Sequence, residues 1–213
     1  MRIRQLYLTD STLWFVNEAK EPPYSLYFSS LNVQTNNLSN HFSQGPARIE
    51  VTGIFMGSGR ASIRGSFRPD QFGPDLTMDI TLEKISLRAL NGLWRAYGRF
   101  DVQAGTVSVY SQLAAKQGTM NGCVKLLFSN IEVYDSRKDS GKAILHQAYE
   151  LAIGGVAHVL KNHSSHRVAT EIPISGQLCN PNTDTGNAVL ELLENAFIQA
   201  ILPGFDHAEQ TNG

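Results

Sequence analysis

Residues 100–134, FDVQAGTVSVYSQLAAKQGTMNGCVKLLFSNIEVY, alternate apolar and polar side chains over a length that few folds can use. Val107, Val109, Leu113 and Ala115 fall on one face at period two, and Met120, Val124, Leu126 and Phe128 do the same on the return. Lys116-Gln117-Gly118-Thr119 lies between them and reads as a tight turn, with Gly118 free to take positive φ. After Phe128 the alternation changes phase and passes to Ile131 and Val133, which predicts a bulge near Ser129-Asn130. Strands usually run to about 5–6 residues. Two much longer ones predict a wide, twisted, curved antiparallel sheet with one apolar face.

The same period recurs along the chain. Residues 2–16 read as a first hairpin turning at Asp10-Ser11, and Pro22-Pro23 closes a polar loop. Tyr24, Leu26 and Phe28 alternate, and Leu31 and Val33 continue in the opposite phase. Ala47, Ile49, Val51 and Phe55 share a face, the chain turns at Gly57-Ser58-Gly59, and Ala61, Ile63 and Phe67 face inward against Arg60, Arg64 and Arg68. Leu76, Met78, Ile80 and Leu82 oppose Asp75, Thr77, Asp79, Thr81 and Glu83, one dry face and one wet, as in an antiparallel meander.

Three helices are expected beside the strands. Ser86 is placed to cap the first, with Leu87, Leu90, Trp94 and Tyr97 at helical spacing and Gly98 at its end. Lys142–Lys161 carries Ile144, Ala148, Leu151, Gly155 and Val159 on one stripe, and the last helix carries Val189, Leu192, Leu193, Ala196, Phe197, Ala200 and Ile201. A final strand holds Val168, Thr170, Ile172 and Ile174, and Pro173 argues for an edge position. The expected class is α+β: a long, curved antiparallel sheet with about three helices at one face or end, one domain over residues 1–205 and a disordered tail over 206–213.

Composition removes several functions. The 213 residues carry a formal net charge of −1 with acid and base mixed, so no basic stripe argues for nucleic acid. No apolar run is long enough for a transmembrane helix, and the N-terminus lacks the pattern of a signal peptide. If Met1 is the native start, the expected location is the cytosol. Cys123 and Cys179 make neither a disulfide framework nor a metal spacing. His158, His163 and His166 straddle an expected helix end without a carboxylate or thiol to complete a shell, so no metal is assigned. Asp75, Asp79 and Glu83 alternate outward beside hydroxyls and read as a solvated face. Gly57-Ser58-Gly59 lacks the lysine and hydroxyl of a phosphate loop, and no G-x-S-x-G elbow occurs. The chain therefore reads as non-enzymatic, with no cofactor.

What remains is the apolar face, with Ile49, Val51, Phe55, Ile63, Phe67, Leu76, Met78, Ile80, Leu82, Val107, Val109, Val124 and Leu126 as its inward set. If the helices leave part of it open, it is a groove for phospholipid or fatty acyl chains. If they cover it, the alternative is a structural module that docks a protein partner by strand addition at an edge such as Arg167–Ile174.

Particular motifs add to this reading. Leu90-Asn91, Tyr97-Gly98-Arg99-Phe100-Asp101-Val102, Gly105-Thr106-Val107 and Gly122-Cys123-Val124-Lys125 occur in order, followed by Ile172-Pro173-Ile174-Ser175-Gly176, Asn180-Pro181 and Asn195-Ala196-Phe197. With the opening Leu6–Phe15 and Tyr24-Ser25-Leu26, they resemble the AsmA-like proteins of the Gram-negative envelope, in their repeat-containing branch. The resemblance implies a taco-shaped sheet with a hydrophobic concave face, a periplasmic location in an inner-membrane-anchored protein, and a part in phospholipid transport or outer-membrane biogenesis. The chain departs from the family in carrying no anchor helix, which implies a segment or a short soluble member.

Overall fold

A computed structural model of the chain describes residues 2–39, 45–68, 75–98, 101–134, 160–162 and 167–177. Its strands are β1 (Arg2–Asn17), β2 (Tyr24–Ser39), β3 (Ala47–Phe55), β4 (Gly59–Arg68), β5 (Asp75–Ser86), β6 (Asp101–Lys116), β7 (Thr119–Tyr134), β8 (Leu160–Asn162) and β9 (Arg167–Gln177). They form one antiparallel sheet in the order β1-β2-β3-β4-β5-β6-β7-β9-β8. Neighbours up to β7 are also neighbours in sequence, so most of the sheet is a simple meander.

The α+β expectation of about three helices is overturned. Among the described residues there is one helix, α1 (Asn91–Gly98), preceded by a 3-10 turn over Leu87–Leu90. The class is nearly all-β. The helices are expected on apolar spacing alone, and the curved sheet covers part of its dry face with its own strands in place of a helical layer. Leu26 and Phe28 of β2 pack against a buried cluster that also holds Phe55, Val107, Leu126 and Ile174. The expected helix Lys142–Lys161 lies outside the described residues except at its end, where Leu160–Asn162 is a strand paired to Arg167–Ala169. The expected C-terminal helix and the tail 206–213 lie outside them too.

Phase changes in the alternation are bulges within continuous strands. The expected hairpin over residues 2–16 is a single strand with Asp10 at φ 46°, and β2 reverses phase at Ser30, φ 49°. A bulge does appear where the phase shift placed it: Asn130 has φ 52°, and the β6–β7 register slips between Ala104 and Thr106. Lys84, φ 57°, does the same in β5. Each bulge adds local right-handed twist, and several of them in long strands bend the sheet. The β6–β7 turn has both Gln117 (φ 50°) and Gly118 (φ 73°) left-handed, the two-residue turn whose twist suits a hairpin.

The segment between β5 and β6 closes one end of the dry face. Ser86 makes no capping bond with its side chain; its N–H donates to Ser58 Oγ at 2.9 Å instead. Trp94 Nε1 donates to the Leu87 carbonyl at 2.8 Å, tying helix to turn. The Asn91 side-chain amide takes the place of a strand neighbour, its Oδ1 accepting from the Val102 N–H (2.9 Å) and its Nδ2 donating to the Val102 carbonyl (3.2 Å). Arg95 forks onto Asp101 at 2.6 and 3.0 Å, and that carboxylate raises the guanidinium pKa above its ordinary value. On its other side α1 meets β2, where the Tyr97 and Tyr24 rings lie edge to face at 5.8 Å. In a flat sheet β2 and β6 would stand about 19 Å apart, and an eight-residue helix touches both because the sheet curves around it.

Candidate functional site

Register places every member of the inward set on one face. Thr35, Ile49, Gly65, Met78, Leu113, Gly122 and Ile174 are successive cross-strand partners, and so are Val33, Val51, Ile63, Ile80, Ser111 and Val124. Direct partners share a side of the sheet. Phe67 pairs with Leu76, and the rows Leu82–Val109–Leu126 and Phe55–Gly59 follow at period two, with Val107 beside Phe128. From β3 to β7 these rungs carry no charged residue, and Ser111 is their polar exception.

Glycines show that this is the concave side. A methyl group added at Gly59 would stand 2.6 Å from Ile85 Cγ1, and one at Gly65 would stand 3.3 Å from Ile49 Cγ2 and 3.0 Å from the Thr77 carbonyl oxygen. One at Gly122 would overlap the Gln112 carbonyl oxygen and lie 2.8 Å from Leu113 Cδ2. Same-face neighbours on adjacent strands converge there, as curvature toward that face requires.

Burial is graded across the face. Phe55, Val107, Val109, Val124 and Leu126 are buried; Val51, Ile63, Leu76, Met78, Ile80 and Leu82 are half-buried; Ile49 and Phe67 are exposed, at 36% and 37%. The inward set is therefore a continuous surface with a closed floor along β6–β7 and an accessible flank on β3–β4. Leu6, Leu8, Leu13 and Phe15 extend that flank onto β1, with 39–57% exposure. The bulges at Asp10 and Ser30 hide this extension in the sequence, because each reverses the phase that marks the face.

One polar group interrupts the floor. Ser111 is 4% exposed between Ile80 and Val124, and its Oγ has no hydrogen-bond partner among the described residues. An unsatisfied buried hydroxyl costs about 1–3 kcal/mol. Ser111→Ala is therefore expected to raise stability by about 1 kcal/mol, checked as the urea midpoint at unchanged m-value.

The opposite face is polar and charge-paired. Register sets Arg60, Arg64 and Arg68 opposite Glu83, Asp79 and Asp75, and Arg64 Nε also lies 3.3 Å from Glu50. Lys125 lies 3.1 Å from Glu171 on the same face. Exposed ion pairs such as Arg64–Glu50 and Lys125–Glu171 contribute about 0–1 kcal/mol each, and register alone sets the arginine row against the acidic one. Where β1, β2 and β3 end together, Arg4, Gln5, Asn36, Asn37, Pro46 and Arg48 frame a cleft of about 620 Å³. His158, His163, His166 and Cys179 lie outside the described residues, and Cys123 is a half-buried free thiol.

No helix among the described residues is long and apolar enough to cross a membrane, a statement that does not extend to strands. Among the described residues these features define a kind of protein by architecture: an antiparallel trough with a dry inside and a charged outside. Comparison with family models finds no match to the chain, and comparisons with curated proteins and with solved structures find none either.

Proposed function

We propose that this chain is a non-enzymatic lipid-binding module of the Gram-negative envelope, AsmA-like in kind, acting in the periplasm in phospholipid transport or outer-membrane biogenesis. The observation that carries the reading is the apolar face, free of charge from β3 to β7, closed at its floor and accessible along β3–β4. β3 has 9 residues, which at about 3.4 Å each gives a face about 30 Å long. That is twice the roughly 15 Å half-thickness of a bilayer's hydrocarbon core, so one extended acyl chain fits along it. Burial of each methylene is worth about 0.8 kcal/mol, and the gain is indifferent to position along the trough. A chain can then slide, and no single residue is indispensable.

The test is native mass spectrometry of the purified protein with lipid analysis of the same sample. Co-purifying phospholipid or fatty acid near one per chain is the expected result. A clean apo mass together with no uptake of a fluorescent phospholipid would sink the proposal and favour a closed core with a protein partner at a sheet edge.

A further inference from the structure

The outermost strand is anomalous in a way the trough does not explain. β1 is 16 residues long and pairs only with β2, and no strand covers its outer edge among the described residues. Edge strands are normally short or guarded by lysine, proline, inward charge or a bulge, and of these β1 has only the bulge at Asp10. Between Gln5 and Asn17 this one has no lysine and no proline, and Asp10 is its only charge. Both of its faces are apolar and open: Leu8 is 50% and Leu13 57% exposed on the trough side, Tyr7 55% and Trp14 58% on the other.

We infer that β1 pairs antiparallel with β1 of a second copy of this chain, joining two troughs into one continuous sheet about a two-fold axis. The pattern is self-complementary in one register. With the axis between Asp10 and Ser11, Leu8 meets Leu13 of the other copy, Tyr7 meets Trp14, and Leu6 meets Phe15. A two-fold makes each of these contacts occur twice. The bulge at Asp10 selects this register. Cross-strand partners must share a face, and the bulge shifts the alternation by one, so that Leu6 and Leu8 share a side with Leu13 and Phe15. Moving the register by one residue would set Leu6 against Trp14, which lies on the opposite side. Moving it by two keeps the faces matched but leaves Phe15 against Arg4 or Tyr7 against Val16, losing the aromatic pair. The result is independent of whether the trough holds lipid.

The experiment is sedimentation equilibrium of the intact protein over about 1–100 µM, a range in which a strand-edge dimer changes population by mass action. A mass rising toward twice the 23.5 kDa of one chain is expected. Leu13→Lys and, separately, Leu8→Lys should weaken self-association by roughly tenfold or more while circular dichroism and Tm stay near wild type. Register is read by mixing Leu8→Cys and Leu13→Cys proteins, each with Cys123 and Cys179 changed to Ser, under mild oxidation. Cross-linking between the two variants, and not within either, is expected. A monomer at every concentration overturns the inference. So does a dimer that survives both lysine variants, or one weakened by Ile49→Asp on the trough flank in place of them. Equal cross-linking within and between variants overturns the register.

Discussion

Leu126→Asp should leave no cooperatively folded protein, whereas Ile49→Asp should leave the fold intact and weaken lipid binding. Both residues belong to the same apolar face, and their burial separates the outcomes. Leu126 is 0% exposed, between Val109 on β6 and Thr170 on β9. Truncating a leucine at such a site costs about 2–5 kcal/mol from the lost transfer energy and the cavity. A carboxylate there adds the cost of an unpaired buried charge, and the sum is comparable to the whole stability of a domain, about 5–15 kcal/mol. Ile49 is 36% exposed on the accessible flank, so an aspartate there stays hydrated and should shift Tm by no more than about 3 °C. The paired measurement is thermal unfolding beside uptake of a fluorescent phospholipid. Loss of both folding and uptake in Ile49→Asp would mean that the flank is core, and the proposed function would fall.

Gly122→Ala should destabilise by about 2 kcal/mol or more, a large effect for one methyl group. In an ordinary strand the same change removes unfolded-state freedom and stabilises by a few tenths to about 1 kcal/mol. Here the new Cβ meets the Gln112 carbonyl oxygen and stands 3.0 Å from Leu113 Cα, both backbone atoms of β6. Backbone cannot turn aside as a side-chain tip can, so the β6–β7 ladder must spread at the buried floor. Gly92→Ala on α1 is the control with the opposite sign. Its Cβ would stand 3.5 Å from Tyr24 Cβ, an ordinary contact, at an exposed helical position. It should gain about 0.5–1 kcal/mol from helix propensity. Urea denaturation of both variants checks the pair. Equal and small effects would mean that the concave face is not crowded at its floor.

The dry face was legible residue by residue, because register in an antiparallel sheet preserves period two across every strand. All of the inward set from Ile49 to Leu126 proved to share it. So were the bulge at Asn130 and the left-handed turn at Gln117-Gly118, since a phase change and a glycine between two alternating runs have few other meanings. The breaks at Asp10 and Ser30 were ambiguous on local grounds. A polar residue that interrupts alternation ends a strand or bulges it, and only pairing with the neighbouring strand decides which. The reading of residues 2–16 as a hairpin failed there, and with it went the extension of the face to Leu6, Leu8, Leu13 and Phe15. The expectation of three helices rested on apolar spacing alone; among the described residues only Asn91–Gly98 is an α-helix, and Leu160–Asn162, the end of the second stretch, is a strand.

Alternation by itself determined which side chains share a face, because that is a property of the extended backbone and needs no partner. How deeply each one is buried was decided by tertiary structure. Val107 and Ile49 look alike in sequence, yet one lies on a closed floor and the other on an open flank. The difference comes from the bulges and the row of glycines that bend the sheet, and from the short helix α1 seated at one end of the curve.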